Sequence, residues 1–289
     1  MRIGIRAQSY DQKGYSKFWG DKMYEKLKAH GYSCTDFGMS DTTTAIYTLP
    51  QAESDAFLLR ERKMAEDAGI TIWQTHGPWQ WPPHDNTPEG RQERMEKMKK
   101  AIRATNVLGS KYCVIHPIMP FGINELHLPE SKATFELNIE YYGELLQTAK
   151  EYDVTICYEN MPMPNFSLAT PADILRVVHT LNDEHFQVCL DLGHVTVYKS
   201  ALNMGEEIHR LGSHIRVLHV HDGKGATDQH LLPQMGITDW GAVAQALKDI
   251  HFDGVFSLEA DLPDRMPEPL FEDMCKLVAC ISKDIVKDL

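Results

Sequence analysis

Eight short runs of apolar residues, rich in β-branched and aromatic side chains, recur along this chain roughly 30–40 residues apart. They cover 2–7, 33–38, 70–76, 112–116, 154–159, 186–191, 215–221 and 254–259. Such short runs suit strands buried in a parallel sheet better than helices. The intervals carry the three- and four-residue apolar spacing of amphipathic helices. One covers 53–68 and stops at Gly69. A second covers 88–108, with Met95, Met98, Ile102 and Leu108 in register and Gly109 behind it. A third covers 131–152, with Phe135, Ile139, Tyr142, Leu145, Leu146 and Ala149. Thr170-Pro171 reads as a cap and first-turn proline opening a helix to Leu181, and Thr238-Asp239-Trp240 opens another that ends near His251.

Strand and helix alternate through the whole length, with no Pro/Gly/Ser linker and no break in composition. This predicts an α/β fold, a single (β/α)8 TIM barrel with 1–289 as one domain. The length fits, since such barrels use about 250 residues. A doubly wound open sheet would need a glycine-rich phosphate loop after its first strand. The segment there, QSYDQKGYSKFWG, contains neither GxGxxG nor GxxxxGKS. In a barrel, chemistry belongs where the strands end and the following loops begin.

Those ends carry the informative residues. The third run ends in His76, the fourth in His116 and the fifth in Glu159. The sixth ends in Asp191 with His194 just beyond. The seventh ends in His219 and His221, followed by Asp228 and His230 in its loop, and the eighth ends in Glu259. One histidine in an apolar run is ordinarily a satisfied core residue, and one carboxylate at a strand end is often a helix cap. Several converging on one barrel rim are harder to explain that way. A buried charge costs several kcal/mol unless it is paired or metal-bound, and neighbouring carboxylates need a cation or protons to coexist. Carboxylates and imidazoles together hold Mn²⁺, Mg²⁺, Co²⁺ or Zn²⁺. The expected cofactor is therefore a divalent metal ion, with no organic cofactor.

The succession HGP, IHP, YEN, LDLGH, HVHD, DQH and LEAD resembles the xylose-isomerase-like TIM barrels over essentially the whole chain. That superfamily includes sugar and sugar-phosphate isomerases and epimerases, and also the endonuclease IV type of abasic-site nuclease. Resemblance to the epimerases implies one ion held by Glu159, Asp191, His219 and Glu259, with His194 against the substrate hydroxyls. It also implies that Glu159 and Glu259 flank the substrate as an acid/base pair. Resemblance to the nucleases implies further ligands for up to three zinc ions, at His76, His116, His194, Asp228 and His230. Ligand content alone leaves the number of ions at one, two or three. Barrels of this superfamily are often dimers or tetramers, which makes a homo-oligomer compatible with the resemblance.

Charge separates the branches. Lys and Arg number 29 against 41 Asp and Glu, a net −12, so the chain has no general attraction to phosphate backbones or anionic lipid. Gripping a duplex takes clustered cations on the active-site loops. Segments 77–90 and 160–169 contain none, and 260–269 has one Arg among three acids. These loops are instead rich in Trp, Met, Pro and Phe, which suits a compact sugar pocket and argues against nucleic acid as a partner. Trp79 and Trp81 are candidates to stack on a sugar, or else a packed loop with no ligand. His76 and His116 are candidate substrate contacts if they are not ligands. Epimerases of this type carry an Arg shortly after the seventh-strand His. Here the nearest cation is Lys224, either a contact to a substrate oxygen or phosphate or a solvated surface residue. The expected activity is metal-dependent sugar isomerisation or epimerisation, by proton transfer through a metal-stabilised enediolate of a ketose or related keto-sugar. Abasic-site cleavage and sugar lyase chemistry are the alternatives.

The six cysteines form no CxxC pair, and four lie in the apolar runs, so buried free thiols in a reducing cytoplasm are expected. No run approaches the ~18 apolar residues that span a bilayer, and no secretory signal is legible, so the sequence reads as cytoplasmic.

Overall fold

The computed structural model describes residues 1–8, 14–198, 202–263 and 265–289. Part of the segment read above as lacking a phosphate loop, 9–13, lies outside them. The eight apolar runs form β1 (Arg2–Arg6), β2 (Cys34–Gly38), β3 (Thr71–His76), β4 (Tyr112–Ile115), β5 (Thr155–Glu159), β6 (Phe186–Asp191), β7 (Ile215–His219) and β8 (Val255–Leu258). Every laddered pair is parallel, in the order β7-β6-β5-β4-β3-β2-β1-β8. The ends of this sheet meet through a bridge between Val220 and Leu258. Val220 N donates to Ser257 O at 2.8 Å, and Glu259 N donates to Val220 O at 3.0 Å. The result is a nearly closed barrel with helices between strands, a single (β/α)8 TIM barrel.

The helices are α1 (Gly14–Trp19), α2 (Met23–His30), α3 (Ala45–Thr48), α4 (Gln51–Asp67), α5 (Pro88–Val107), α6 (Glu130–Glu151), α7 (Pro171–Leu181), α8 (Leu192–Thr196), α9 (Met204–Leu211), α10 (Trp240–Asp249) and α11 (Glu268–Ile285). The five foreseen from spacing are α4, α5, α6, α7 and α10. The cap at Thr170 is reciprocal: its hydroxyl oxygen accepts from Asp173 N, and the Asp173 carboxylate accepts from Thr170 N. Asp239 likewise caps α10 by accepting from Ala242 N at 3.0 Å. Among the described residues, no helix is long and apolar enough to cross a membrane.

Side chains alternate along a strand, so residues two apart share a face. Two positions before His116, Glu159, Asp191 and His219 stand Val114, Cys157, Cys189 and Val217, which pack together as a buried cluster apart from the main core. Small apolar residues therefore fill the barrel just below its polar rim. Five cysteines are buried and free, and Cys280 is free and exposed.

Candidate metal centre

Glu159, Asp191 and His219 are the last residues of β5, β6 and β7, and Glu259 follows β8 directly. Each offers one ligand atom, and these atoms lie within 4.8 Å of one another. His219 Nδ1 is 2.8 Å from Glu159 Oε1, 2.8 Å from Glu259 Oε2 and 3.9 Å from Asp191 Oδ2. All four side chains are buried. Burial alone would lift both glutamic acids, but His219 and its neighbours outweigh it and hold Glu159 and Glu259 well below the usual carboxylate range. The nearby carboxylates, in turn, hold the buried His219 imidazole well above its ordinary value.

Three carboxylates thus converge on one nitrogen whose proton they must share. Glu159 Oε2 is buried as well, with His116 Nε2 2.8 Å away. A divalent cation fits this donor set, displacing the Nδ1 proton and satisfying oxygens that one hydrogen cannot. Behind the imidazole, Asp36 on β2 lies 2.9 Å from Nε2 through its Oδ2, and Gln74 on β3 donates to the same oxygen at 3.0 Å. A carboxylate accepting the Nε2 hydrogen leaves the Nδ1 lone pair facing the acids, which is how outer partners orient ligand histidines.

Arg6 supplies the cation on the cleft wall. Its Nη1 is 2.6 Å from Glu259 Oε1, and its Nη2 is 3.4 Å from Asp261 Oδ1. The sequence leaves Lys224 either as a substrate contact or as a solvated surface residue. Lys224 is exposed, outside the residues lining the cleft, and its backbone N donates to Gln229 Oε1. The β7 loop carries the lysine past the rim, whereas β1 delivers Arg6 directly to it.

Two further groups flank the centre. On one side, His194, His221, Asp228 and His230 form a set of the same compactness. Asp228 Oδ2 lies 3.4 Å from His194 Nε2 and 3.1 Å from His230 Nε2, and His221 Nε2 is 3.1 Å from Asp191. Burial opposes charge on His194, but Asp191, Asp228 and Glu159 outweigh it and lift the imidazole to about 10. His230 is lifted to about 9 by Asp228 and Glu259, again against burial. Gly193 makes room for this set, since a Cβ there would run into the His221 ring. The rings of His221 and His230 stack 4.1 Å apart.

On the other side, His76 joins Glu159 and His219 as a third set. His116 Nε2 is 2.8 Å from Glu159 Oε2 and 3.2 Å from His76 Nε2. Burial drives His116 down to about 4 against the pull of Glu159, whereas Glu159 outweighs burial at His76 and raises it. The structure thus gathers His76, His116, His194, Asp228 and His230 around the principal centre.

Above them opens a cleft of about 840 Å³. Arg6, His76, His116, Glu159, His194, Asp228, His230 and Glu259 line its polar side, and Trp79, Trp81, Met161, Pro162 and Met163 form an apolar wall. Trp79 sets its ring edge-on to His116, centroids 4.4 Å apart. Trp81 remains largely exposed at the mouth.

Four contributors escaped the sequence reading. Arg6, Asp36 and Gln74 sit inside runs whose apolar neighbours dominated the signal. Asp222 was visible in HVHD without a role. Its carboxylate accepts from Gly223 N, Gln234 N, Thr238 N, Thr238 Oγ1 and Trp240 Nε1, tying down the loop that carries Asp228 and His230.

A family model described as xylose isomerase-like TIM barrel matches residues 24–277. The chain belongs to that family. Uncharacterized protein MJ1311 of Methanocaldococcus jannaschii is 27% identical over 81% of this chain and 77% of its own. The probable endonuclease 4 of Mycoplasmopsis agalactiae is 26% identical over 61% of this chain and 64% of its own. The D-psicose 3-epimerase of Enterocloster bolteae is 22% identical over 90% and 82%. Among solved structures, a D-tagatose 3-epimerase-like protein superposes with TM-score 0.75 at 23% identity, covering 100% of this chain and 99% of its own. IOLI protein with a bound zinc atom superposes with TM-score 0.75 at 21% identity over 99% and 98%.

Proposed function

We propose that this chain, acting as one domain, is a divalent-metal-dependent epimerase or isomerase of a ketose or related keto-sugar. The observation that carries the reading is the pairing of Glu159 and Glu259, both 2.8 Å from His219 Nδ1, beneath a cleft with one apolar wall. Glu159, Asp191, His219 and Glu259 would hold the principal ion. When bound, that ion supplies Lewis-acid polarisation of a carbonyl and the neighbouring hydroxyl. Carboxylate-rich donors suit Mn²⁺ or Mg²⁺, and the flanking imidazoles suit Zn²⁺ or Co²⁺.

The protein's own groups move the protons. Glu159 and Glu259 approach the reacting carbons from different strands. One carboxylate removes the proton beside the carbonyl, giving an enediolate. Return of a proton to the opposite face of that carbon gives the epimer, and delivery to the neighbouring carbon gives the aldose–ketose isomer. Arg6 keeps Glu259 ionised and fixed. His194, with His76 and His116, meets substrate hydroxyls, while Trp79 and Trp81 cover the apolar face of the sugar and exclude water. His194, Asp228 and His230, with His221 beside them, hold a second ion if one binds.

The test is metal-dependent exchange of substrate C–H with D₂O across a ketose panel, run beside an abasic-site oligonucleotide. Exchange without strand cleavage supports the reading. Chelator-sensitive cleavage without exchange overturns it in favour of a nuclease.

A further inference from the structure

Away from the cleft, at the opposite end of the strands, α7 and the turn before β7 bring two imidazoles together. His179 lies in the last turn of α7 and His214 immediately precedes β7. Their Nε2 atoms stand 3.3 Å apart, with the ring planes at 67°. Gln187 on β6 sets the geometry from behind. Its amide nitrogen donates to Asp183 O at 3.2 Å, which turns its Oε1 towards His214 Nδ1 at 3.0 Å. An amide oxygen only accepts, so Nδ1 of His214 carries the hydrogen and Nε2 presents a lone pair. Burial, helped by His179 and Arg216, lowers the pKa of His214 and favours that neutral form.

Two nitrogens bound at about 2.0–2.1 Å to a tetrahedral ion are separated by about 3.3–3.4 Å. The His179–His214 spacing matches that edge. We propose that His179 and His214 form a separate surface metal site, taking an imidazole-preferring divalent transition ion of the Zn²⁺, Ni²⁺ or Cu²⁺ class. Water fills its remaining positions. Without an ion, the same spacing is bridged by one hydrogen from His179 Nε2, and that hydrogen moves to Nδ1 of the same ring when Nε2 takes the ion. The site is independent of the barrel mouth. Gln187 and Asp191 are four positions apart along β6, about 13 Å at ~3.3 Å per residue. Its chemistry also differs, because paired imidazoles favour later transition ions over Mg²⁺ and Mn²⁺.

The experiment titrates the full chain with Zn²⁺ in the presence of excess Mn²⁺, comparing wild type with His179→Ala and His214→Ala. The wild type should bind one more equivalent of Zn²⁺ than either variant, with Mn²⁺ stoichiometry unchanged in all three. Gln187→Leu should weaken that equivalent about 10-fold, the usual cost of losing a partner that orients a ligand. Crystals soaked in Zn²⁺ should show anomalous density between the two Nε2 atoms. Equal Zn²⁺ stoichiometry in wild type and both variants, or no anomalous density at the pair, overturns the proposal.

Discussion

At the scale of single residues, the centre is organised around the two nitrogens of His219. Nδ1 faces the carboxylates, and Nε2 is held by Asp36. Asp36→Asn should weaken metal binding about 10- to 100-fold, as read by calorimetry, while the circular dichroism spectrum stays unchanged. Glu159→Gln or Glu259→Gln should lower kcat roughly 100- to 10,000-fold if the pair carries the protons. Near-wild-type turnover with metal still bound would remove them from that role. The flanking histidines make a pH prediction for metal-free protein. His194 at about 10 and His230 at about 9 titrate above the 6.5 of an unfolded imidazole. Their stabilising contribution is complete below pH 6.5 and is lost as pH rises through 9 to 10. Thermal melts of metal-free protein should show Tm falling over that window, and His230→Ala should flatten the fall. Strand-end residues were legible in sequence because their polarity interrupts apolar runs. Asp36 was not, because a single charge within a strand does not reveal which strands it will face once the barrel closes, and Arg6 was not, because its run reads on through Ala7.

At the scale of elements, the strands and α4, α5, α6, α7 and α10 followed from periodicity and punctuation, whereas the 18-residue α11 was not read. Each of the eight apolar runs became a strand, and α5, α6 and α7 began and ended within a residue or so of their expected limits. The misses have local causes. His116, His221 and Glu259 belong to the apolar runs but stand one or two residues beyond the strands, with Glu259 N still donating to Val220 O. The short α1, α3 and α8 are too brief for a 3.6-residue period to emerge. In α8 the start is set instead by Asp191, whose Oδ1 accepts from His194 N at 2.7 Å. One carboxylate therefore caps a helix while its other oxygen faces the metal centre and His221. The adjoining turn should be correspondingly intolerant. Gly193→Ala places a methyl group against the His221 ring and should cost about 1–3 kcal/mol, measurable by denaturant melts. Thr170→Ala, which removes the reciprocal cap of α7 without touching a candidate ligand, should cost about 1 kcal/mol and leave metal affinity alone.

For the whole molecule, the acidic balance seen in the sequence acquires a location. Glu159, Asp191 and Glu259 are among the 41 acids, yet they are buried around one point. They do not act as surface charge. The ladders that hold them do not continue evenly round the barrel. Seven strand pairs are fully laddered, and among the described residues the eighth junction, β7 against β8, has the two backbone hydrogen bonds of Val220. His219 and Glu259 lie on opposite sides of that junction. An ion gripping both would act as a rivet across the weakest joint of the cylinder, making ligand occupancy and mechanical closure the same event. In hydrogen exchange, the amides of Val220 and Glu259 should open ahead of the other rim amides when chelator is present and become protected when the ion returns. The barrel would then sense its own metal as a change in stiffness along one line of its wall.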